Sequence, residues 1–376
     1  MLILPKSPSQ QCFRMSVVYE KDIDIEFVDV FSFLKNRPEK NKIVFIDPIV
    51  LSNHDQFLEI EASDPGMLLV PTNLNESNKD LESLTSILSV LETNGIGRKG
   101  DIICAVGGGA LLDVVAFAAG IFRRGVAMIK IPTTLLGIVD ASIGIKTGIN
   151  FIGQRNRLGS YNFDYSVAID PILMDGLHGT LVRQGLGEIF KIAVIKSSFL
   201  FDTLYPYGVR LEDPLFYCSP EGKDILSQSI WLMLEELHEN PREHNLMRCV
   251  DYGHSFSPLV EMESVNRAGY KSLPHGYAVA YDCALTATIA SSRGILPKPD
   301  YQRIISLFMA HDFGFTNDIY LDHNLLWASF LEMVKHRGGS QNLPVPIAIG
   351  AYSFIQDLTF EEMRASVEML RESIPQ

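Results

Sequence analysis

The chain has 376 residues, 47% of them hydrophobic and 20% charged, with a formal net charge of -13 at pH 7. The composition is that of a globular protein, and the length predicts two domains rather than one core. The acidic surplus excludes a nucleic-acid partner, which demands a basic face, but not a small phosphorylated ligand held by a few local cations.

Residues 1–11 hold too short an apolar run, and too early a proline, for a secretory leader. The longest apolar run, residues 114–122, falls short of the roughly 20 residues that cross a bilayer. Cys12, Cys104, Cys218, Cys249 and Cys283 are odd in number and show no CxxC spacing. That pattern predicts reduced thiols and a cytoplasmic protein without a membrane partner.

Strands are predicted at 42–46 (KIVFI), 67–71 (MLLVP), 101–106 (DIICAV) and 126–132 (VAMIKIP). Between them lie helices at 81–94, with Leu81, Leu84, Ile87, Leu88 and Leu91 on one face, and at 110–121. Strand–helix alternation is the pattern of a parallel sheet covered on both faces. Beyond about residue 175 long helical periodicity takes over, at 181–204, 223–239, 278–293, 301–310 and 360–373. The expected fold is therefore α/β, a Rossmann-like parallel-sheet domain over 1–170 followed by a mostly α-helical domain over 171–376. Asp170-Pro171 marks the boundary.

Gly107-Gly108-Gly109 stands between a predicted strand and helix, where bare backbone amides and the helix N-terminus suit a diphosphate. The pattern is not GxGxxG, and such turns also arise for packing. Asp113, one turn on, suits a ribose contact or a loop anchor. Asp47, Glu76 and Lys79 fall at strand C-termini, where open α/β sheets bind ligands.

In the helical half, GLGEIFK places Glu188 and Lys191 almost one turn apart, while His254 and His275 lie in YGHSFSP and PHG. One carboxylate and two imidazoles suit a catalytic zinc with an open position, although local pairing of each residue is an equally simple reading. Between the two regions, residues 123–159 gather Arg123, Arg124, Lys146, Arg155, Asn156 and Arg157 among glycines, as a loop that would hold a phosphate monoester.

The ordered segments GGGALLDVVAF, FRRG, IPTTLLGIVDASIGIKTGIN, QRNRLG, GLGEIFK, DYGHSFSP and LPHG, spread over about residues 40–350, resemble the dehydroquinate synthase superfamily of sugar phosphate cyclases. The resemblance implies an NAD-binding Rossmann-like domain, a helical zinc domain (with Co2+ as a substitute metal), catalysis between the two and a homodimer. Carried over by position, it implies Glu188, His254 and His275 as metal ligands. It implies Asp47, Glu76, Lys79, Gly108, Gly109, Asp113, Thr133, Thr134, Asp140 and Arg155 at the cofactor. It implies Lys146, Asn156, Lys191, Asp251 and Arg124 at the substrate, Arg124 reaching a partner's site, with Lys335, His336 and Arg337 forming a further substrate-facing basic segment.

Two departures bear on the substrate. The cationic positions with which dehydroquinate synthases hold a carboxylate fall on Met233 and Met247, and the second histidine of their GHxxxH is Pro258. Methionine cannot pair a carboxylate, so a neutral end is expected, as in sedoheptulose 7-phosphate. GIKTGINF and DYGHSFSP look like the 2-epi-5-epi-valiolone synthase branch, which makes C7 cyclitols. The remaining alternatives are a 3-dehydroquinate synthase, an NAD- and metal-dependent alcohol dehydrogenase of the glycerol type, and a non-catalytic degenerate cyclase. Tyr277, in HGYAV, and Gly176 depart from the family pattern without indicating the product.

Overall fold

The computed structural model describes residues 14–18, 22–267 and 270–374. Residues 1–11, read above as unsuited to a leader, and Cys12 lie outside them. Two compact units emerge: the chain to His178 together with Tyr217–Ile230, and Gly179–Phe216 together with Trp231 onward.

The first unit carries strands β1 (Arg14–Val18), β2 (Asp22–Phe27), β3 (Asn41–Ile46), β4 (Met67–Pro71), β5 (Asp101–Gly107), β6 (Met128–Pro132), β7 (Lys146–Phe151), β8 (Gln154–Tyr161) and β9 (Tyr165–Ile169). Seven of them form one sheet in the order β1-β2-β9-β6-β5-β3-β4. Six run parallel, and β1 adds an antiparallel edge on β2; β1, β2 and β9 are strands that the periodicity did not predict. The central strands read as unbroken apolar runs because both faces are covered. Val44, Ile46, Cys104, Val106, Ile129 and Ile131 sit in one buried cluster. The Leu81–Thr93 helix buries Leu84, Ile87 and Leu91, whereas Leu81 is 43% exposed, so its apolar face is narrower than the periodicity predicts.

Strand order positions the first candidate site. The chain leaves β3 toward β4 on one side and β5 toward β6 on the other, so the C-termini of β3 and β5 flank a topological switch point. Asp47 follows β3 and Gly107–Gly109 end β5.

The cationic segment folds differently from expectation. It is an antiparallel hairpin of β7 and β8, with Lys146 opposite Tyr161 and Gly148 opposite Gly159. The glycines serve close strand approach: a β-carbon on Gly159 would lie 2.2 Å from the Thr147 carbonyl oxygen.

The second unit is mostly helical, with an additional hairpin of β10 (Leu343–Ala348) and β11 (Ala351–Ile355). The helix expected over 181–204 is two, Gly179–Lys196 and Ser198–Leu204. Ser197 turns extended and its hydroxyl accepts from the Leu200 amide, starting the second helix. Among the described residues no helix is long and apolar enough to cross a membrane.

Candidate active site

In the second unit, Glu188 and Lys191 share the Gly179–Lys196 helix, and His275 is the first residue of the His275–Ser292 helix. The two helices touch backbone to backbone through glycines. A β-carbon on Gly187 would lie 2.2 Å from the Gly276 carbonyl oxygen, and one on Gly276 2.0 Å from that of Gln184. Each glycine adjoins a functional side chain, so the crossing brings Glu188 Oε1 to 3.1 Å from His275 Nε2. Gly276→Ala is therefore expected to cost at least about 1–3 kcal/mol and to lower metal affinity with it. Thermal melting and metal titration check this; a fully stable variant with undiminished affinity would contradict the close-crossing account.

His254 follows a short helical turn, Cys249–Asp251, and precedes the Ser257–Asn266 helix. Its Nε2 lies 3.6 Å from Glu188 Oε1. Among the described residues, Glu188, His254 and His275 form the group whose donor atoms lie within 4.8 Å of one another. A tetrahedral ion with arms of 2.0–2.1 Å requires ligand separations of about 3.4 Å, so the 3.1 and 3.6 Å spacings fit zinc. Each imidazole turns Nδ1 elsewhere, His275 to Glu261 Oε2 at 3.1 Å and His254 to the Tyr252 carbonyl at 3.5 Å. That leaves both Nε2 atoms for a metal.

The electrostatics are those of a charged cluster in which Glu188 is buried and the two imidazoles are half-buried. Burial works against the Glu188 charge, yet Lys191 and the two imidazoles outweigh it and hold the carboxyl well below its usual range. Burial, aided by the Lys191 ammonium, presses His254 down to about 3. Burial also lowers His275, but Glu261 and Glu188 override it and push the ring up to about 10. Lys191, 3% exposed, is ion-paired with Glu188 Oε2.

Asp251 is occupied on both oxygens. Arg248 Nη2 donates to Oδ1 at 2.5 Å and Arg337 Nε to Oδ2 at 3.2 Å. Arg337 Nη2 also donates to Ser255 Oγ at 3.0 Å, beside His254. Lys335 and His336 end the His323–His336 helix exposed, so the member of that basic segment turned inward is Arg337, 4% exposed. Met233 is buried, whereas Met247 is 50% exposed. The Tyr277 hydroxyl accepts from Arg183 Nε at 2.7 Å, and Arg183 pairs with Glu212.

In the first unit five of the expected cofactor and substrate residues, Glu76, Lys79, Asp113, Arg155 and Asn156, form one polar chain with Asn150. Arg155 Nε and Asn150 Nδ2 donate to Glu76 Oε1 at 3.3 and 3.1 Å. Asn150 Oδ1 accepts the Asn156 amide at 2.9 Å, which helps hold Asn156 at a left-handed φ of 48°. Lys79 Nζ bridges Asn156 Oδ1 at 2.7 Å and Asp113 Oδ2 at 2.6 Å. Burial raises the Asp113 carboxyl although Lys79 opposes it. Asn150 was absent from the expected site residues, since only the register of the hairpin reveals it.

The Gly109–Ile121 helix starts at Gly108 with no side-chain cap, leaving its first amides for an anion. A β-carbon on Gly109 would meet the Ala141 side chain at 3.3 Å, and one on Gly108 the Thr134 methyl at 3.4 Å. The bare backbone there fits a dinucleotide diphosphate. Asp47 caps the Pro48–Asn53 helix through the Ile49 amide, and Thr134 Oγ1 accepts the Gly137 amide; Thr133 is buried beside it. Asp140 lies in the Gly137–Ala141 turn. Fully buried Lys130 donates to the Gly144 carbonyl at 3.0 Å, anchoring the turn that leads to Lys146. Arg124 is exposed, in left-handed backbone at φ 66°.

Residues 69–184 match the 3-dehydroquinate synthase N-terminal family and 185–336 the 3-dehydroquinate synthase C-terminal family. The 2-epi-5-epi-valiolone synthase of Streptomyces albus is 40% identical over 79% of this chain and 72% of its own. The 2-epi-5-epi-valiolone synthase of Streptomyces hygroscopicus subsp. jinggangensis, solved with NAD+ and Zn2+ bound, superposes with a TM-score of 0.83 at 33% identity, covering 96% of this chain and 100% of that one. A 2-deoxy-scyllo-inosose synthase complexed with carbaglucose-6-phosphate, NAD+ and Co2+ shares the fold at 19% identity and a TM-score of 0.78, over 95% and 99% of the two chains. The chain belongs to the 3-dehydroquinate synthase family.

Proposed function

We propose that the protein is an NAD- and zinc-dependent sugar phosphate cyclase that converts sedoheptulose 7-phosphate to a C7 cyclitol, 2-epi-5-epi-valiolone or a close isomer. The observation that carries this reading is the Glu188–His254–His275 cluster with Lys191 against it, in a chain 40% identical to a 2-epi-5-epi-valiolone synthase. When bound, NAD+ supplies a hydride acceptor regenerated within one turnover, and the divalent cation polarises the oxygen on the carbon being oxidised and later the aldol carbonyl.

The chain's own residues do the rest. Glu188, His254 and His275 hold the cation, and Lys191 keeps the Glu188 carboxylate ionised. The amides at Gly108 and Gly109 hold the diphosphate, while Asp47, Glu76, Lys79, Asp113, Thr133, Thr134, Asp140 and Arg155 line the cofactor. Lys146 and Asn156 grip the substrate phosphate. Oxidation of the neighbouring hydroxyl acidifies the C–H whose proton leaves as phosphate is expelled. Ring opening of the phosphate-free sugar would then free an enolate that closes on the ketone carbonyl while these residues hold it. Asp251, Lys335 and His336 complete the proposed substrate set. We further propose that the enzyme acts as a cytoplasmic homodimer in which Arg124 serves the partner's site.

Met233 and Met247, at the positions where dehydroquinate synthases carry cations, support a substrate end without charge, since methionine cannot pair a carboxylate. The test is phosphate release from sedoheptulose 7-phosphate against 3-deoxy-arabino-heptulosonate 7-phosphate. A preference above about 100-fold in kcat/KM for the neutral sugar, near 3 kcal/mol, is expected. Preference for the acidic sugar would make the protein a dehydroquinate synthase despite its methionines.

A further inference from the structure

We propose that Glu261 and Asp282 are positioning residues that hold the two histidine ligands ready through a crossed clasp, each helix securing the histidine that precedes or heads the other. The inference rests on the metal reading above and assigns two carboxylates outside the ligand set.

The Ser257–Asn266 helix begins three residues after His254 and carries Glu261; the His275–Ser292 helix begins at His275 and carries Asp282. Glu261 Oε2 lies 3.1 Å from His275 Nδ1. A proton on Nδ1 donated to that carboxylate fixes the ring orientation and turns Nε2, whose own proton a metal would displace, to the space beside Glu188 Oε1. Reciprocally, Asp282 Oδ2 accepts the amides of Ser255, Phe256 and Ser257 at 2.7, 2.6 and 2.9 Å. Thr286 Oγ1 donates to Oδ1 at 3.2 Å.

The Phe256 and Ser257 amides are the N-cap and first-residue donors of the Ser257–Asn266 helix, whose N-cap, Phe256, has no capping side chain, and the Ser255 amide lies one residue before them. A carboxylate at a helix N-terminus also meets the favourable end of its dipole. Asp282 is wholly buried and its target starts at the residue after His254, so it fixes the backbone from which that imidazole projects. A buried carboxylate is costly unless hydrogen-bonded. Here Glu261 reaches a metal ligand itself, and Asp282 reaches the residue after the other ligand together with the two amides that follow it.

The test measures metal, not turnover. Purified full-length wild type, Glu261→Gln, Glu261→Ala and Asp282→Asn are stripped, titrated with Co2+ by visible absorption and competed for Zn2+ with a chelator, with melting of the metal-free forms alongside. Glu261→Ala is expected to lose about 10–100-fold in Zn2+ affinity. Glu261→Gln, which still accepts the Nδ1 proton, should recover part of it. Asp282→Asn should weaken binding and change the Co2+ absorption bands. Folded variants with wild-type affinity and bands would overturn the clasp while leaving the metal site intact. If Asp282→Asn does not fold, the isosteric Glu261→Gln and its alanine counterpart decide on the same criteria. A wild type that binds neither ion would instead overturn the metal reading on which the clasp rests.

Discussion

His275→Ala should leave a folded protein that neither retains zinc nor turns over. The substitution removes one of three protein donors and opens the contact between the Glu188 and His275 helices. Loss of an outer-shell partner alone weakens metal by about 10–100-fold, so loss of a direct ligand should exceed that. Lewis-acid polarisation contributes several kcal/mol to such reactions, and about 3–5 kcal/mol corresponds to roughly 10²–10⁴ in rate. Stability should also fall, because Glu261 loses the Nδ1 donor facing it, a deletion worth about 1–3 kcal/mol for a buried polar group. The measurements are metal content by elemental analysis, circular dichroism and kcat. A zinc-free variant with wild-type activity would remove the metal assignment.

Lys146→Ala separates catalysis from folding in the other unit. Lys146 opens β7, is exposed, and stands opposite Tyr161 in the hairpin. Exposed substitutions of this kind usually change stability by less than about 0.5 kcal/mol. A lost charge-assisted bond to a substrate phosphate costs about 1.5–3 kcal/mol, or roughly 10–150-fold in kcat/KM. The melting temperature should therefore barely move while kcat/KM falls. An unchanged rate would sink the phosphate grip, and a large loss of stability would make Lys146 structural.

How far the sequence reaches can be seen residue by residue. Four of the six parallel strands were legible because burial on both faces forces unbroken apolar runs such as residues 101–106, whereas β2 and β9 were not, and the glycine turn was legible because only bare backbone suits that helix start. Glu188, His254 and His275 were legible as candidates from residue type, and the glycines beside two of them now explain how they meet. The β7–β8 hairpin was not, since glycines that permit close strand approach look identical to glycines of a loop. Arg337 was hidden among three basic residues at a helix end, where one turn of phase decides which side chain faces inward. Glu261 and Asp282 sit in apolar helices, and their partners lie 14 and 25–27 residues away along the chain, a distance no local pattern encodes.

The measurement that tests the central claim most directly is phosphate release from sedoheptulose 7-phosphate by the zinc-loaded protein with NAD+ at enzyme-stoichiometric amounts, absorbance at the NADH band being followed in the same cuvette. A redox-neutral cyclase should release many equivalents of phosphate per NAD+ while NADH stays below one equivalent per enzyme. NADH accumulating in step with substrate loss, without phosphate, would make the protein a dehydrogenase; neither signal would contradict the cyclase account altogether.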